Sequence, residues 1–509
     1  MTQFRLSTLL RVFALTGLLS FTSIAQSAEF LVKYRNANAL RGMFNLSLNV
    51  TDIHEPGQLL TIDIADAQKL GTMVNLLSNV NVEYVVPNYK LYAIYQVPYR
   101  AGATAVALQP QWALEKVAAQ AAWTKAGNKG NRKVVVAVID TGVDYNHPNL
   151  KPNMVPGYDF AQNDNDPMDV VKAGANPGHG THCAGIMGST GLIDGGVSGL
   201  SPEMSIMPIR FLNEDGSGDL NAGIKAIDYA IEKKVDLISA SWGAEIQESQ
   251  ATPLIEAVKR AEAAGIAFVV AAGNSSKNND STGFFPANVN ATNVINVAAS
   301  AEDDSKPSWS NYGTAKVHIA SPGDNIMSTL PGNKYGALRG TSMATPLVAG
   351  LVALIKASDN SLTPHQIRSL VQASGDAVSI QTASNNRINA AKAVDMVKGR
   401  TMFAHPFAGT FALNDKVNMT GVYGTAPFTF TSSNPAVASI DASGVMTAVA
   451  QGEAQITVTD SKGATATTGK LMIGATAPPP PDGGSCPLGD PALCDAICQI
   501  MPDAPWCTK

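Results

Sequence analysis

The middle of the chain alternates apolar, β-branched runs with helical stretches, and this alternation limits the fold more than any other feature. The run VVVAVI at 134–139 is apolar at every position, which is typical of a strand buried on both faces of a parallel sheet. Similar runs follow at 205–209, 235–240, 266–271 and 294–298, with helical stretches at 222–233 and 253–264. The pattern predicts a three-layer α/β domain with a mainly parallel sheet between helices.

Polar residues follow several of these predicted strands. Asp140, Ser241 and Asn274 each come shortly after such a run, and ligands of open α/β sheets bind beyond the carboxyl ends of the strands. Ser342 precedes a long apolar segment that predicts a buried helix with Pro346 in its first turn. The N-terminus of a helix stabilises negative charge, so a serine nucleophile is expected there, although a single serine at such a position is usually a cap.

Three sequence blocks carry an aspartate, a histidine and a serine in that order. They are DTG from Asp140, HGTHCAG from His179 and GTSMATP around Ser342. The same order is found in the triad of subtilisin. The blocks resemble the signature motifs of the subtilase family, and the resemblance extends over about residues 111–396.

The resemblance implies a serine endopeptidase. Ser342 would be the nucleophile, His179 the base and then the acid, and Asp140 the group that orients the histidine. Asn274 and the backbone N–H of Ser342 would donate to the tetrahedral oxyanion. All of these are needed together because a serine hydroxyl is a weak nucleophile at neutral pH without a base within hydrogen-bond reach.

Substrate-binding positions are also implied by the resemblance. Two short backbone segments are expected to pair with an extended peptide as added strands: Ser241, Trp242 and Gly243, and Gly216, Ser217 and Gly218. Phe284 aligns with the floor of the S1 pocket, where many relatives carry a small residue. Its ring is therefore expected to shorten that pocket.

The loop at 159–169 is rich in oxygen ligands and resembles a loop that binds calcium in several subtilases. Asp164, Asp166 and Asp169 are its candidate Ca²⁺ ligands. A polar surface loop without a metal is the alternative, and both interpretations stay open. Asn149 stands where many relatives have an aspartate ligand, which weakens the case for the family's usual calcium site.

The N-terminal segment at 1–28 predicts an export signal. Arg5 and Arg11 precede the apolar run at 12–19, and small residues near Ala28 offer a cleavage site. We therefore expect a secreted protein, extracellular or periplasmic before release. The apolar run is too short to span a membrane, and no later stretch is long enough, so no transmembrane segment is expected.

Residues 29–108 predict a small α+β unit, with strands at 59–64 and 81–86 and a helix at 67–77. The segment at 82–89 resembles the closing strand of inhibitory propeptides of subtilisin-like proteases. The unit is thus expected to be an intramolecular inhibitor, and the segment at 99–109 to be the processed linker before a catalytic domain at 109–400.

The C-terminal part is expected to be accessory. Glycine-punctuated short strands at 401–476 predict a small β-sandwich that resembles bacterial Ig-like group 2 domains, modules that act as spacers or bind surfaces and glycans. A proline-rich linker at 477–485 leads to a cysteine-rich tail at 486–509. This tail contains four cysteines, Cys486, Cys494, Cys498 and Cys507. They predict two disulfides with three alternative pairings, and a zinc site is the weaker alternative. The remaining cysteine, Cys183, is expected to be a buried thiol.

Composition narrows the function classes. A net charge of −5 over 509 residues gives no basic surface for nucleic acid, so the expected partners are protein and peptide substrates of a monomer. The alternative function is a surface-attached adhesion or binding protein on a vestigial protease scaffold. A processing protease of the kexin kind is a further alternative, but the acidic pocket residues of that group are not seen.

Overall fold

The computed structural model describes residues 27–36, 48–94, 111–191, 196–474, 488, 490–501 and 507. Most of the predicted export signal, the segment at 99–109, the proline-rich linker and Cys486 lie outside the described residues. The chain divides into two compact units, one formed by residues 1–87 with 488–509 and the other by residues 88–487.

The first unit contains a four-stranded antiparallel sheet with a helix. The strands are, in order across the sheet, Val50–His54, Leu59–Ala65, Ser27–Tyr34 and Val82–Pro87. A 3₁₀ turn at Asp66–Gln68 leads into the helix Lys69–Leu77, which buries Met73 and Leu76. The strands predicted at 59–64 and 81–86 and the helix predicted at 67–77 are confirmed. The unit also contains the helix Pro491–Ile500 of the tail.

The second unit is built on a nine-stranded sheet. Its strands are, in order across the sheet, Asp376–Ala377, Asn386–Arg387, Ile319–Pro322, Val294–Ser300, Ala267–Ala271, Leu237–Ala240, Val135–Asp140, Ser205–Arg210 and Tyr158–Asp159. Every neighbouring pair is parallel except the pair at the Asp376–Ala377 edge. The predicted parallel sheet is confirmed, including all five of its proposed strands.

Helices surround this sheet, some packed on its strands and others on neighbouring helices. They are Trp112–Lys116, Ala119–Ala126, His179–Gly188, Leu220–Glu232, Thr252–Ala263, Thr341–Ser358, Pro364–Ala373 and Ala390–Lys398. The helix Thr341–Ser358 packs on His179–Gly188 and on the central strands, whereas Leu220–Glu232 packs on Thr252–Ala263. Among the described residues, Thr341–Ser358 is the one helix long and apolar enough to span a membrane, but 89% of it is buried inside the protein. It is therefore the core helix of this unit.

Smaller elements complete the unit. A 3₁₀ turn forms at Lys151–Asn153, and an antiparallel hairpin pairs Ile326–Leu330 with Lys334–Leu338. A separate three-stranded sheet consists of Trp242–Gly243, Lys90–Ala93 and Ser217–Asp219. Asp219, at the end of the strand Ser217–Asp219, also caps the helix Leu220–Glu232, because its carboxylate accepts from the backbone N–H of Ala222.

The C-terminal part of this unit is all-β, as predicted for 401–476. Its strands form four small sheets: Phe403–His405 with Thr420–Val422; Gly409–Phe411, Leu471–Ile473 and Gly452–Ala454; Lys416–Asn418, Val445–Ala448 and Ala438–Ile440; and Thr429–Ser432, Ile456–Thr459 and Thr465–Thr467. Apolar side chains from these sheets, among them Met446, Ile456 and Leu471, share one core.

Candidate active site

An aspartate and a histidine meet at the carboxyl edge of the main sheet. Asp140 is the last residue of the strand Val135–Asp140, and His179 is the first residue of the helix His179–Gly188. Both side chains are buried, and His179 Nδ1 lies 2.7 Å from Asp140 Oδ1. This hydrogen bond fixes the imidazole ring and favours the tautomer with its proton on Nδ1.

Asp169 supports this pair from behind. Its buried carboxylate accepts from the hydroxyl of Thr141, the amide of Asn176, and both the backbone N–H and the hydroxyl of Thr181. Asn176 in turn accepts from the backbone N–H of His179. Burial raises the pKa of Asp169 to about 6, against the opposing effect of these hydrogen bonds. Asp169 thus joins the residue after Asp140 to the first turn of the histidine helix.

Ser342 is the second residue of the core helix, and Pro346 lies within that helix rather than in its first turn. The prediction for Pro346 was therefore wrong. Proline has no N–H, so it cannot bond to the carbonyl oxygen four residues earlier, which is that of Ser342. That oxygen accepts instead from Ser241 Oγ at 3.0 Å and from Cys183 Sγ at 3.4 Å. Because Pro346 leaves the Ser342 carbonyl oxygen without its usual backbone donor, two other segments can bond to the start of the core helix. These are Ser241, which follows the strand Leu237–Ala240, and Cys183 in the helix His179–Gly188.

Cys183 lies one turn after His179 and is completely buried, as predicted. Burial raises the pKa of its thiol well above the ordinary value, with a further contribution from Asp140. A thiol held in its protonated form is a poor nucleophile. Its place beside the carbonyl oxygen of Ser342 is therefore structural.

Asn274 faces the same site with its amide group in a fixed orientation. Its Oδ1 accepts from both the backbone N–H and the hydroxyl of Thr341, each at 2.9 Å. The hydroxyl of Thr341 also accepts from the backbone N–H of Gly273. Because Oδ1 is engaged in this way, Asn274 Nδ2 is directed toward the region in front of Ser342.

A segment of the chain itself occupies the cleft beside Ser342. The strand Lys90–Ala93 pairs antiparallel with Ser217–Asp219 on one side and with Trp242–Gly243 on the other. Two further bonds extend the pairing, from the backbone N–H of Ala93 to the carbonyl of Gly216 and from that of Ile94 to the carbonyl of Ser241. The two predicted peptide-binding segments therefore lie on either side of one extended strand.

The last described residue of this segment, Ile94, places its carbonyl oxygen at the serine. Ser342 Oγ donates a hydrogen bond to that oxygen, and Asn274 Nδ2 lies 3.4 Å from it. The role of residues 90–94 was not predicted from the sequence. The only signal was a short alternating run that follows the predicted closing strand of the pro-segment.

Side chains of the bound segment differ in their surroundings. Leu91 is completely buried, and a Cβ added at Gly223 would lie 3.1 Å from its Cδ1, so the glycine leaves room for this side chain. Tyr92 is 53% exposed, whereas Ile94 is buried. The two enclosed side chains, Leu91 and Ile94, are therefore three positions apart in the bound segment.

Phe284 is buried between two backbone segments of the cleft. A Cβ added at Gly243 would lie 2.8 Å from the Phe284 ring, and one at Gly273 would lie 3.3 Å from it. The ring thus fills the space between the segment that follows Ser241 and the segment that precedes Asn274. This is the position expected of the floor of a pocket between them.

The acidic loop does not gather its three candidate ligands. Asp164 accepts from the backbone N–H of Asp166, and Asp166 accepts from the hydroxyl of Tyr145. Asp169 faces the histidine helix instead. In the described part of the chain, the one group of three or more histidine, cysteine or acidic side chains close enough to share a metal ion is that of Asp140, His179 and Cys183. Asp169 therefore belongs to a different network from Asp164 and Asp166, and the predicted Ca²⁺ site stays a prediction.

In the tail, Cys498 forms a disulfide with Cys507, and Cys494 is also disulfide-bonded. These thiols are consequently not available as zinc ligands. Of the two alternatives for the cysteine-rich tail, the structure supports the disulfides.

Comparison with known proteins places the chain among proteases. Residues 131–392 match the subtilase family, and residues 413–471 match the group 2 bacterial Ig-like domain. The chain is 38% identical over 306 residues to a thermophilic serine proteinase of Bacillus sp. (strain AK1), covering 60% of this chain and 70% of the relative. It is 37% identical over 286 residues to thermitase of Thermoactinomyces vulgaris, covering 56% of this chain and 95% of thermitase.

Among solved structures, a cold adapted subtilisin-like serine proteinase matches at 32% identity and a TM-score of 0.44, covering 50% of this chain and 86% of that one. The family match covers the strands and helices that carry Asp140, His179, Asn274 and Ser342. The chain belongs to the subtilase family and is a serine-type endopeptidase.

Proposed function

We propose that the protein is a secreted serine endopeptidase made as a self-cleaving precursor, with Asp140, His179 and Ser342 as its triad and Asn274 as an oxyanion donor. One observation carries the proposal: the carbonyl oxygen of Ile94 accepts from Ser342 Oγ beside the amide of Asn274. This contact brings the peptide carbonyl of Ile94 next to both the proposed nucleophile and the proposed oxyanion donor, which supports Ile94 as the residue at the cleaved bond.

The chemistry follows from these positions. His179 takes the proton of Ser342 as Oγ attacks the carbonyl carbon, and Asp140 stabilises the imidazolium that forms. Asn274 Nδ2 and the backbone N–H of Ser342, which lies in the first turn of a helix, donate to the oxyanion. His179 then gives its proton to the leaving amine, and water releases the acyl group from Ser342 by the same route in reverse.

The bound segment also suggests what the cleft accepts. Backbone pairing on both sides tolerates many sequences, so selectivity falls to the enclosed side chains. In the cleft these are Leu91 and Ile94, whereas the side chain of Tyr92 faces solvent. We infer that the protease prefers apolar residues at the cleaved position and three residues before it, with Phe284 limiting the size of the first.

Secretion is supported by two features. The segment at 1–28 has the composition of an export signal, and a disulfide between Cys498 and Cys507 persists in oxidising compartments. The Ig-like module at 413–471 would act outside the cell as a spacer or as a contact to surfaces and glycans.

The position of Ile94 predicts where the precursor is first cut. We expect cleavage of the Ile94–Tyr95 bond, so that Tyr95 becomes the first residue of the enzyme. N-terminal sequencing or intact mass measured early in maturation checks this.

A matched pair of variants sharpens the test. Ile94→Asp is expected to slow the cut at least tenfold because it buries a charge. Tyr92→Asp changes an exposed side chain and is expected to leave the rate of the cut nearly unchanged. A first cut at 99–109 in all three chains would contradict the assignment.

Asp169 gives a prediction about stability. In a Ser342→Ala background, which prevents autolysis, Asp169→Asn leaves one oxygen for four donors and is expected to lower the free energy of unfolding by about 3 kcal/mol. Asp166→Asn in the same loop changes an exposed carboxylate and is expected to stay within about 0.5 kcal/mol. Urea unfolding with a chelator and with millimolar calcium measures both. If both variants instead lose the same free energy of unfolding, and only when calcium is present, both carboxylates would be Ca²⁺ ligands, as the sequence predicts.

A further inference from the structure

The cysteine-rich tail packs against the pro-segment. Its helix, Pro491–Ile500, lies on the helix Lys69–Leu77, and both belong to the first compact unit. Contacts occur at both ends of this pair. Lys69 Nζ lies 3.6 Å from Asp490 Oδ2 at the beginning, and Ser78 Oγ lies 3.7 Å from Met501 Sδ at the end. The two helices therefore run in the same direction, with contacts at both ends of the pair.

The apolar face of the tail helix is buried in the same compact unit. Ile497 is completely buried, Leu493 and Cys494 nearly so, whereas Ile500 on the same helix is 55% exposed. A ten-residue helix is marginal by itself in water and is stabilised by packing its apolar face. The disulfide between Cys498 and Cys507 closes the end of this helix, which lowers the conformational entropy that docking would cost.

We propose that the tail is a docking module for the enzyme's own pro-segment and holds it in place after the chain is cut. The inference rests on the proposed cleavage after Ile94. Once that bond is broken, at least two non-covalent contacts of the described residues still hold the fragment: the strand Lys90–Ala93 in the cleft and the helix Lys69–Leu77 on the tail. Because the tail stays covalently joined to the protease, each contact raises the effective concentration of the pro-segment for the other.

This arrangement makes release of the inhibitor depend on the tail. With both contacts present, loss of one contact leaves the cleaved pro-segment attached through the other. The lost contact then re-forms faster than the pro-segment diffuses away. Removal of the tail, or of its apolar face, takes away one attachment and leaves the strand in the cleft without it. The protease would then become active sooner without any change in its catalytic residues.

The test compares Ile497→Asp with Ile500→Asp, which place the same charge on the buried and exposed faces of one helix. Docking is measured first in full-length Ser342→Ala chains by hydrogen exchange at residues 69–77. We expect faster exchange with Ile497→Asp and no change with Ile500→Asp. Lys69→Glu makes the change on the pro-segment side and is also expected to speed exchange, without altering the tail.

Retention is measured next in active full-length chains, as the dissociation rate of the cleaved pro-segment and the lag before activity. Ile497→Asp is expected to speed release at least tenfold, and Lys69→Glu, which loses a partly exposed ion pair, about two- to fivefold. Both are expected to shorten the lag, with kcat/KM unchanged after release. Faster exchange with unchanged release would overturn the inference. If no chain forms a fragment ending at Ile94, the proposed cleavage fails, and unaltered exchange in both variants would separately disprove docking.

Discussion

Ser342→Ala is expected to lower turnover about 10⁶-fold, the scale known for loss of the nucleophile in subtilisin. The variant has no Oγ to attack the carbonyl of Ile94, and the thiol of Cys183 cannot substitute because burial keeps it protonated. The same variant is expected to stay at precursor length, because we propose that the chain's own serine makes the cut. Peptide hydrolysis and intact mass of the purified chain measure the two effects.

A neighbouring hydroxyl provides the control for this variant. Ser241 Oγ donates to the carbonyl oxygen of Ser342, and loss of one such hydrogen bond costs about 0.5–1.5 kcal/mol. Ser241→Ala is therefore expected to lower turnover no more than about tenfold and to be processed. Normal processing of purified Ser342→Ala, with no other protease present, would show that another enzyme makes the cut.

Asn274→Ala is expected to lower kcat about 10²–10³-fold with little change in KM. Its Nδ2 faces the carbonyl oxygen that becomes negatively charged during attack, so the donor stabilises the transition state more than the bound substrate. Steady-state kinetics on a short apolar peptide separates kcat from KM. Retention of half or more of the normal kcat would contradict the role proposed for Asn274.

Asn279 supplies the matched control. It is a buried asparagine in the same region, and its Nδ2 donates to the carbonyl of Ala272 rather than toward the cleft. Asn279→Ala is expected to lower thermal stability but to leave the kcat of the folded protein within a few-fold of normal. Equal losses of kcat in both variants would indicate that Asn274 acts only by supporting the loop.

The sequence predicted those parts of the molecule that depend on local pattern. The central strand could be placed because its residues are apolar at every position, as in VVVAVI at 134–139. Asp140, His179 and Ser342 could be grouped because each lies in a block of distinctive residues. The structure brings Asp140 and His179 to hydrogen-bond distance. It also places the side chains of Ser342 and Asn274 next to the same carbonyl oxygen, that of Ile94.

The missed features depend on contacts between distant segments. Pro346 is tolerated inside the core helix because Ser241 and Cys183, far away in sequence, supply donors to the carbonyl of Ser342. Asp169 looked like a metal ligand because its neighbours are acidic, but its four donors come from other segments. Likewise, the contact of the tail with the pro-segment joins Ser78 and Met501, 423 positions apart. No local sequence pattern indicates contacts between segments so far apart in the chain.

The covalent link between Lys90–Ala93 and the rest of the unit has a consequence for stoichiometry. In the precursor that we propose, each molecule of protease is synthesised with one copy of its inhibitor, and that copy precedes the catalytic residues in the chain. The ratio of inhibitor to enzyme is therefore fixed at one, whatever the level of expression. Because the serine and the Ile94 carbonyl are on the same polypeptide, the first cut is expected to be a first-order reaction whose half-time is unchanged by dilution.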